Sequence, residues 1–393
     1  MAQAQQRDIV IIGGGIIGCT TAYYLSRNPL YSSESTRITV LEASANGVAQ
    51  GASGKAGGLV AKWAYPAELV DISFPEHVRL AKEHNGIDKW GFRFVECGTW
   101  EGVGEDLKRD PGSGVGKGGK RKSLEKTLGV ELDTDTERIN KRHPEGLNWI
   151  KQELTTSYAL MDPTTGLEGT AQVHPYLFTT NMMELAAENG VKLRRGSATL
   201  HSGRFQLTHV ILAAGAWSPT LLSSLPISAT RAHSVTFRPK PGVDIAPYVL
   251  FTDIKLPRGH HASPEIYARP DNEVYACGPG DDSTLPGNVD DVEVDQTACE
   301  SIREQVVSIA PKLREGTVEK RQACFLPTVS HRGGGGPIIG EAKTVAKGLY
   351  IATGHTCWGI CNAPGTAKVM AELVLDGKAS PRKLKRLDPS YFL

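Results

Sequence analysis

Gly13, Gly15 and Gly18 stand in the order G-x-G-x-x-G, directly after the apolar run Ile9–Ile12 and at the opening of a helical segment. In that setting the first glycine permits a tight turn, the second lets a pyrophosphate approach the backbone, and the third lets helix and strand pack closely. The first-turn N–H groups, those of Ile16 and Ile17 among them, then face phosphate oxygens. Glu42 lies 24 residues beyond Gly18, with Ala43 next to it, where the following apolar run ends. A carboxylate there accepts hydrogen bonds from ribose hydroxyls and repels a 2′-phosphate. These residues point to a dinucleotide, disfavour NADP, and leave FAD and NAD both open.

The elements that must hold these groups follow from periodicity. Ile9–Ile12 reads as a buried parallel strand, Gly18–Arg27 as a helix and Ile38–Leu41 as a second strand, together one βαβ unit. Leu177–Asn189 has helical spacing, and Val210–Leu212 is a further buried strand leading into AAGAWSP. From about Ser234 to Gly278 the pattern changes to strands punctuated by Pro and Asp, with a hairpin turn expected at Pro270-Asp271-Asn272. Gln296–Ile309 reads as a helix, Leu349–Thr353 as a last buried strand and Gly365–Leu375 as a closing helix. The expected architecture is an α/β, Rossmann-type dinucleotide domain assembled from residues 1–75, 175–225 and 331–393. An inserted antiparallel β-sheet domain from 76–174 and 226–330 forms the substrate cap. Residues 102–123, rich in Gly and Lys, read as a flexible surface loop, and Lys117, Lys120, Arg121 and Lys122 as its solvated charges.

Composition narrows the partners. The 393 residues carry 44 Lys plus Arg against 43 Asp plus Glu, a net charge of +1, so no whole-molecule field favours nucleic acid. The seven scattered cysteines lack paired metal-ligand spacing, and no metal site is expected; Cys357 and Cys361 have Gly359 between them and no further ligands nearby. The N-terminus lacks the pattern of a signal peptide, no apolar run reaches membrane-spanning length, and the chain does not end in SKL, so a cytoplasmic location is expected.

Four blocks, IVIIGGGIIGCTTAYYL, GASGKAGG, VILAAGAWSP and GLYIATGHTCWGICNAPGTAKVMAEL, occur in the order that resembles the FAD-dependent D-amino-acid oxidase superfamily. The likeness spans nearly the whole chain and is greatest to the glycine oxidase and monomeric sarcosine oxidase branch, especially a fungal subgroup of oxidoreductases. It implies FAD as the cofactor. It places Ala52 and Ser53 at the phosphates, and Lys55, Gly57, Gly58 and Leu59 at the flavin edge. Ala214, Gly215 and Trp217 would close over the diphosphate and ribose. Gly354, His355, Gly359 and Ile360 would bring backbone N–H groups and a helix N-terminus to the flavin pyrimidine, where the reduced form carries negative charge. Cys324 falls where the sarcosine oxidase branch bonds covalently to the flavin, so covalent FAD is one expectation and a small buried thiol the other.

The resemblance also contains a departure. Many relatives carry a carboxylate-gripping arginine two residues past the Cys324 position, and here that residue is Leu326. Arg269 and Arg332 are the local candidates to substitute, with a surface or structural arginine the favoured reading of each. The implied reaction is hydride transfer from a small amine or amino-acid-like substrate, held neutral, to flavin N5. Tyr267 and His355 are the candidate pocket-lining polar groups, and Lys55 the candidate for promoting reaction with O2. The alternatives are an FAD dehydrogenase with another electron acceptor and a flavin-binding regulatory or trafficking protein. A monomer or homodimer is expected.

Overall fold

The computed structural model describes residues 6–107, 143–197, 208–330, 336–378 and 382–393. Two large sheets organise them. The first has six strands in the order Ile338–Glu341, Leu349–Thr353, His209–Leu212, Arg7–Ile12, Thr36–Glu42 and Lys192–Arg195, parallel except for the antiparallel edge at Ile338–Glu341. Its central strands are short apolar β-branched runs because helices cover the sheet and leave no wet face to pattern. The helix Ile16–Ser26 is almost wholly buried for the same reason, packed between Pro175–Glu188 and the closing helix Gly359–Asp376.

That closing helix begins six residues earlier than periodicity suggests and contains Pro364. Proline has no N–H, so the carbonyl four residues back loses its helical donor. His77, from the helix Ala67–Glu83, supplies one: its Nε2 lies 3.0 Å from the Ile360 carbonyl and 3.1 Å from that of Cys361. Ser73, one turn away, accepts from the Gly365 amide at 3.0 Å and donates to the Asn362 carbonyl at 3.2 Å. Burial lowers the His77 pKa to about 4, so the ring is neutral and its Nε2 donates. The helix therefore survives its proline through partners no local pattern reveals.

The second sheet has eight strands, with Thr317–Val329, Ile227–Arg238, Val274–Asp281, Glu265–Ala268, Tyr248–Lys255, Glu96–Val103 and Thr155–Leu160 in that order and His261–Ala262 paired at one side. It is antiparallel apart from one parallel pair, Glu96–Val103 with Tyr248–Lys255, which makes it a mixed sheet. Alternation along the strands splits it into two faces. Leu250, Ile266 and Ala276 pack under the helix Gln296–Ile309, while Phe251, Tyr267 and Tyr275 turn toward the dinucleotide fold. The hairpin turn lies at Pro270–Asn272, where Asp271 and Asn272 take positive φ values of 58° and 60°, the geometry that suits short Asx residues. A small sheet of Leu59–Ala61, Thr170–Gln172 and Arg93–Phe94 joins the two halves.

Gly102 and Val103 end a strand instead of opening a loop, because they pair with Ile254 and Lys255, respectively, on the neighbouring strand. Residues 108–123, including Lys117, Lys120, Arg121 and Lys122, lie outside the described residues. So does most of the short segment before the His209 strand. No described helix is long and apolar enough to cross a membrane.

Candidate active site

One elongated cavity runs along the C-terminal ends of the parallel strands. Gly13, Gly15, Ile16, Ile17, Glu42, Ala43, Ala52, Ser53, Ala214, Gly215, Trp217, Gly354, His355, Gly359 and Ile360 all line it. Three further segments line it too: Gly287–Val289, which drew no attention in the sequence, Phe325–Pro327 around Leu326, and Gln50–Gly51 at the start of the GASGKAGG block. Asp290 fastens the first of these, accepting from the Ser44 hydroxyl at 2.6 Å and the Ala45 amide at 2.8 Å. No local motif marks it, since the loop is recruited from the far end of a strand in the other sheet.

The three motif glycines are needed for different reasons. Gly13 has φ +114°, and a Cβ there would stand 2.4 Å from the Ala213 carbonyl oxygen. At Gly18 a Cβ would meet the Gly13 oxygen at 1.9 Å, so this glycine sets the helix-to-strand approach. Gly15, by contrast, is extended, with φ −77°, and a Cβ there meets only Ser53 Oγ, at 3.1 Å. Its side chain position is left open toward the cavity. Ser53 Oγ accepts from the Ile16 amide at 2.8 Å. Glu42 accepts from the Gly14 amide at 2.6 Å and the Ser44 amide at 2.8 Å, which fixes the carboxylate at the cavity wall with lone pairs to spare.

At the other end, Gly354 has φ +81° and Thr356 φ +52°. A non-glycine residue held there costs roughly 1–3 kcal/mol, a pattern typical of functional turns. The closing helix starts immediately after this turn with no side-chain cap, leaving its first-turn amides directed to the cavity. His355 is buried, its Nε2 2.9 Å from Thr366 Oγ1, and burial pulls its pKa down to about 3, so the ring is neutral.

Lys55, Gly57, Gly58, Leu59, Tyr267 and Cys324 stand behind or beside this cavity and are not in its lining. Lys55 donates to the Ala323 carbonyl at 3.0 Å, and burial lowers its pKa. Gly57 is glycine because the Tyr267 ring occupies the space of a Cβ, 2.7 Å away. Gly58 has φ +96° and abuts the Val173 carbonyl, and Leu59 begins the small three-stranded sheet. Cys324 is buried, and burial pushes its thiol up to about 11, with Lys55 pulling the other way. Arg269 is committed elsewhere: it pairs with Glu273 at 2.7 Å, donates to the Ala56 carbonyl, and sits over the Tyr275 ring at 4.5 Å. It does not replace the missing clamp at Leu326, which lines the cavity as an apolar residue; Arg332 lies outside the described residues.

A glycine turn, a helix N-terminus, an acid for ribose and a second uncapped helix N-terminus, all on one cavity, form a cradle for an extended dinucleotide. The sequence matches the family described as FAD dependent oxidoreductase (DAO) over residues 8–373. The chain belongs to the DAO family. It is 32% identical to the Saccharomyces cerevisiae protein TDA3, which is named an oxidoreductase, over 98% of this chain and 95% of that one. Among solved structures, iminodiacetate oxidase from Chelativorans sp. BNC1 superposes with TM-score 0.69 at 20% identity, covering 97% of this chain and 98% of that one. Glycine oxidase from Bacillus cereus does so with TM-score 0.68 at 20% identity, covering 96% and 97%. This DAO-family chain is therefore an FAD-dependent oxidoreductase with the Rossmann-type fold of that family, and the cradle fits its cofactor. Gly13–Ile17 and Ser53 would hold the diphosphate and Glu42 the ribose. The turn from Gly354 to Ile360 would hold the pyrimidine.

Proposed function

We propose that this protein oxidises a C–N bond of a small amine or amino-acid-like substrate and passes the electrons to O2. Bound FAD supplies the hydride acceptor. The protein's part is to position and dry the substrate. The observation that carries this reading is the cavity lining: Trp217, Phe325, Leu326 and Pro327 are apolar beside the polar atoms of Thr353 and Thr356, the composition of a small-molecule pocket. Tyr267 donates its hydroxyl to Glu265 at 2.6 Å and stays protonated, because burial and that carboxyl raise its pKa. Neutral His355 orients the turn at the pyrimidine end and does not act as a base. The structural relatives named for oxidation of glycine and iminodiacetate support the substrate class.

Burial keeps Cys324 protonated, which favours noncovalent FAD, since the thiolate is the form that forms carbon–sulfur bonds. Lys55 is our candidate for the cation that assists oxygen reduction. The test is anaerobic mixing of the yellow protein with sarcosine, glycine, D-amino acids, N-alkyl amines and fructosyl amines, followed by air. Bleaching by an amine and fast recovery with peroxide formation is the expected result; bleaching with slow recovery would make it a dehydrogenase. No bleaching by any of them would remove the amine reading.

A further inference from the structure

Glu265 is a carboxyl set into an aromatic wall. Its register partner on the adjoining strand is Phe251, so the two side chains stand side by side on the face turned to the dinucleotide fold. The Phe251 and Trp63 rings lie 6.1 Å apart at 73°, and the Trp63 and Trp358 rings 5.4 Å apart at 90°. The three rings pack edge to face, and Trp358 stands immediately before the helix start at the pyrimidine end of the cavity. Trp63 is fixed by its indole N–H, which donates to Thr170 Oγ1 at 3.1 Å. The carboxyl is held by the Tyr267 hydroxyl at 2.6 Å and by the Cys277 thiol, and it has no ion-pair partner among the described residues. It nonetheless keeps some accessible surface.

Burial raises the Glu265 pKa, because a carboxylate enclosed by protein without a counter-charge is costly, and an arriving cation relieves that cost and favours the ionised form. Faces of tryptophan and phenylalanine attract the same kind of ligand. The opposite kind is poorly served: Arg269 is paired with Glu273, and Leu326 is apolar. We infer that Glu265, with Phe251, Trp63 and Trp358, forms the substrate subsite and that it recognises a cationic nitrogen, with no α-carboxylate required. This rests on the amine-oxidation reading and narrows its substrate class. Glu265 Oε1, the oxygen that Tyr267 does not hold, can take one proton from a bound ammonium. One N–H bond is exchanged for one O–H bond, and the free base keeps the lone pair that hydride loss from the adjacent carbon needs.

The experiment is a titration of the FAD-loaded protein, followed by the shift in its visible absorption, with tetramethylammonium as the cation and benzoate as the anion. Saturable perturbation by tetramethylammonium is expected, weaker by about 10-fold or more in Glu265→Gln and by a few-fold in Trp63→Leu, with benzoate inert at the same concentrations. The Trp63 variant keeps the acid, so it still reports if Glu265→Gln does not fold. Benzoate binding in preference to tetramethylammonium, or cation affinity unchanged in both variants, would overturn the inference. Bleaching by carboxylate-bearing amines alongside either result would leave amine oxidation standing. A positive titration in a protein that no amine bleaches would separate the two the other way.

Discussion

The nucleotide cradle and the aromatic sheet face adjoin each other but are built on different principles. The cradle is a backbone device: glycines that make room, helix N-termini that supply N–H groups, and one acid. The sheet face is a side-chain device, in which Glu265, Tyr267, Phe251 and Trp63 come from three separate elements and owe their juxtaposition to strand register. The first has the build that the FAD of this family calls for. The second is where one member can differ from another, because a side chain there changes without disturbing a turn or a helix end.

Substitutions can test that division. The largest effect is expected at Gly15→Val: the extended backbone accepts valine, so the protein should fold and purify colourless, with FAD affinity reduced beyond measurement. A yellow Gly15→Val protein would mean the phosphates lie elsewhere. Gly18→Ala should do the reverse. Its Cβ would collide with the Gly13 carbonyl at 1.9 Å, so loss of stability on the order of 3 kcal/mol should appear by urea unfolding even without cofactor. Glu42→Gln should fold and bind FAD roughly 10-fold to 100-fold more weakly by equilibrium dialysis, the scale of one charge-assisted hydrogen bond. Unchanged affinity would remove Glu42 from the ribose site.

Smaller, and shared by both regions, is a pH effect on stability. Burial depresses His77 to about 4, His174 to about 4 and His355 to about 3, so the folded protein holds all three neutral where the unfolded chain takes up protons. Their contribution is fully present above about pH 6.5 and is lost as the pH falls toward 4. Thermal midpoints measured between pH 7.5 and 5 should therefore fall with acid, and His77→Gln should flatten part of that slope. A midpoint rising as the pH falls would contradict neutral buried rings.

The unevenness of what could be read beforehand has the same origin as the comparison. These cavity-lining residues were legible because a turn, a strand and a helix start are local, and local sequence encodes them: Gly13, Gly15, Ile16, Ile17, Glu42, Ser53, Gly354, His355, Gly359 and Ile360 meet on one cavity. The Gly287–Val289 loop was not, since it reaches the cavity only through the path of the chain, and Leu326 was legible as a lost arginine but not as part of the cavity wall. The sequence favoured a surface or structural role for Arg269 without its partners; the structure gives them as Glu273 and the Ala56 carbonyl, whose approach depends on a hairpin and on a turn more than two hundred residues earlier.

By itself the sequence determined a βαβ start, a dinucleotide without a 2′-phosphate, the period-2 strands of a second sheet, and the loss of an arginine at Leu326. Those are properties of spacing and residue type within a few turns of chain. Tertiary structure alone decided which histidines are neutral, how Pro364 is tolerated, which cations are already spent, and that Glu265 shares a wall with Phe251 and Trp63. Each of these depends on desolvation or on a contact between distant segments, and the energy of a buried charge is set by everything packed around it.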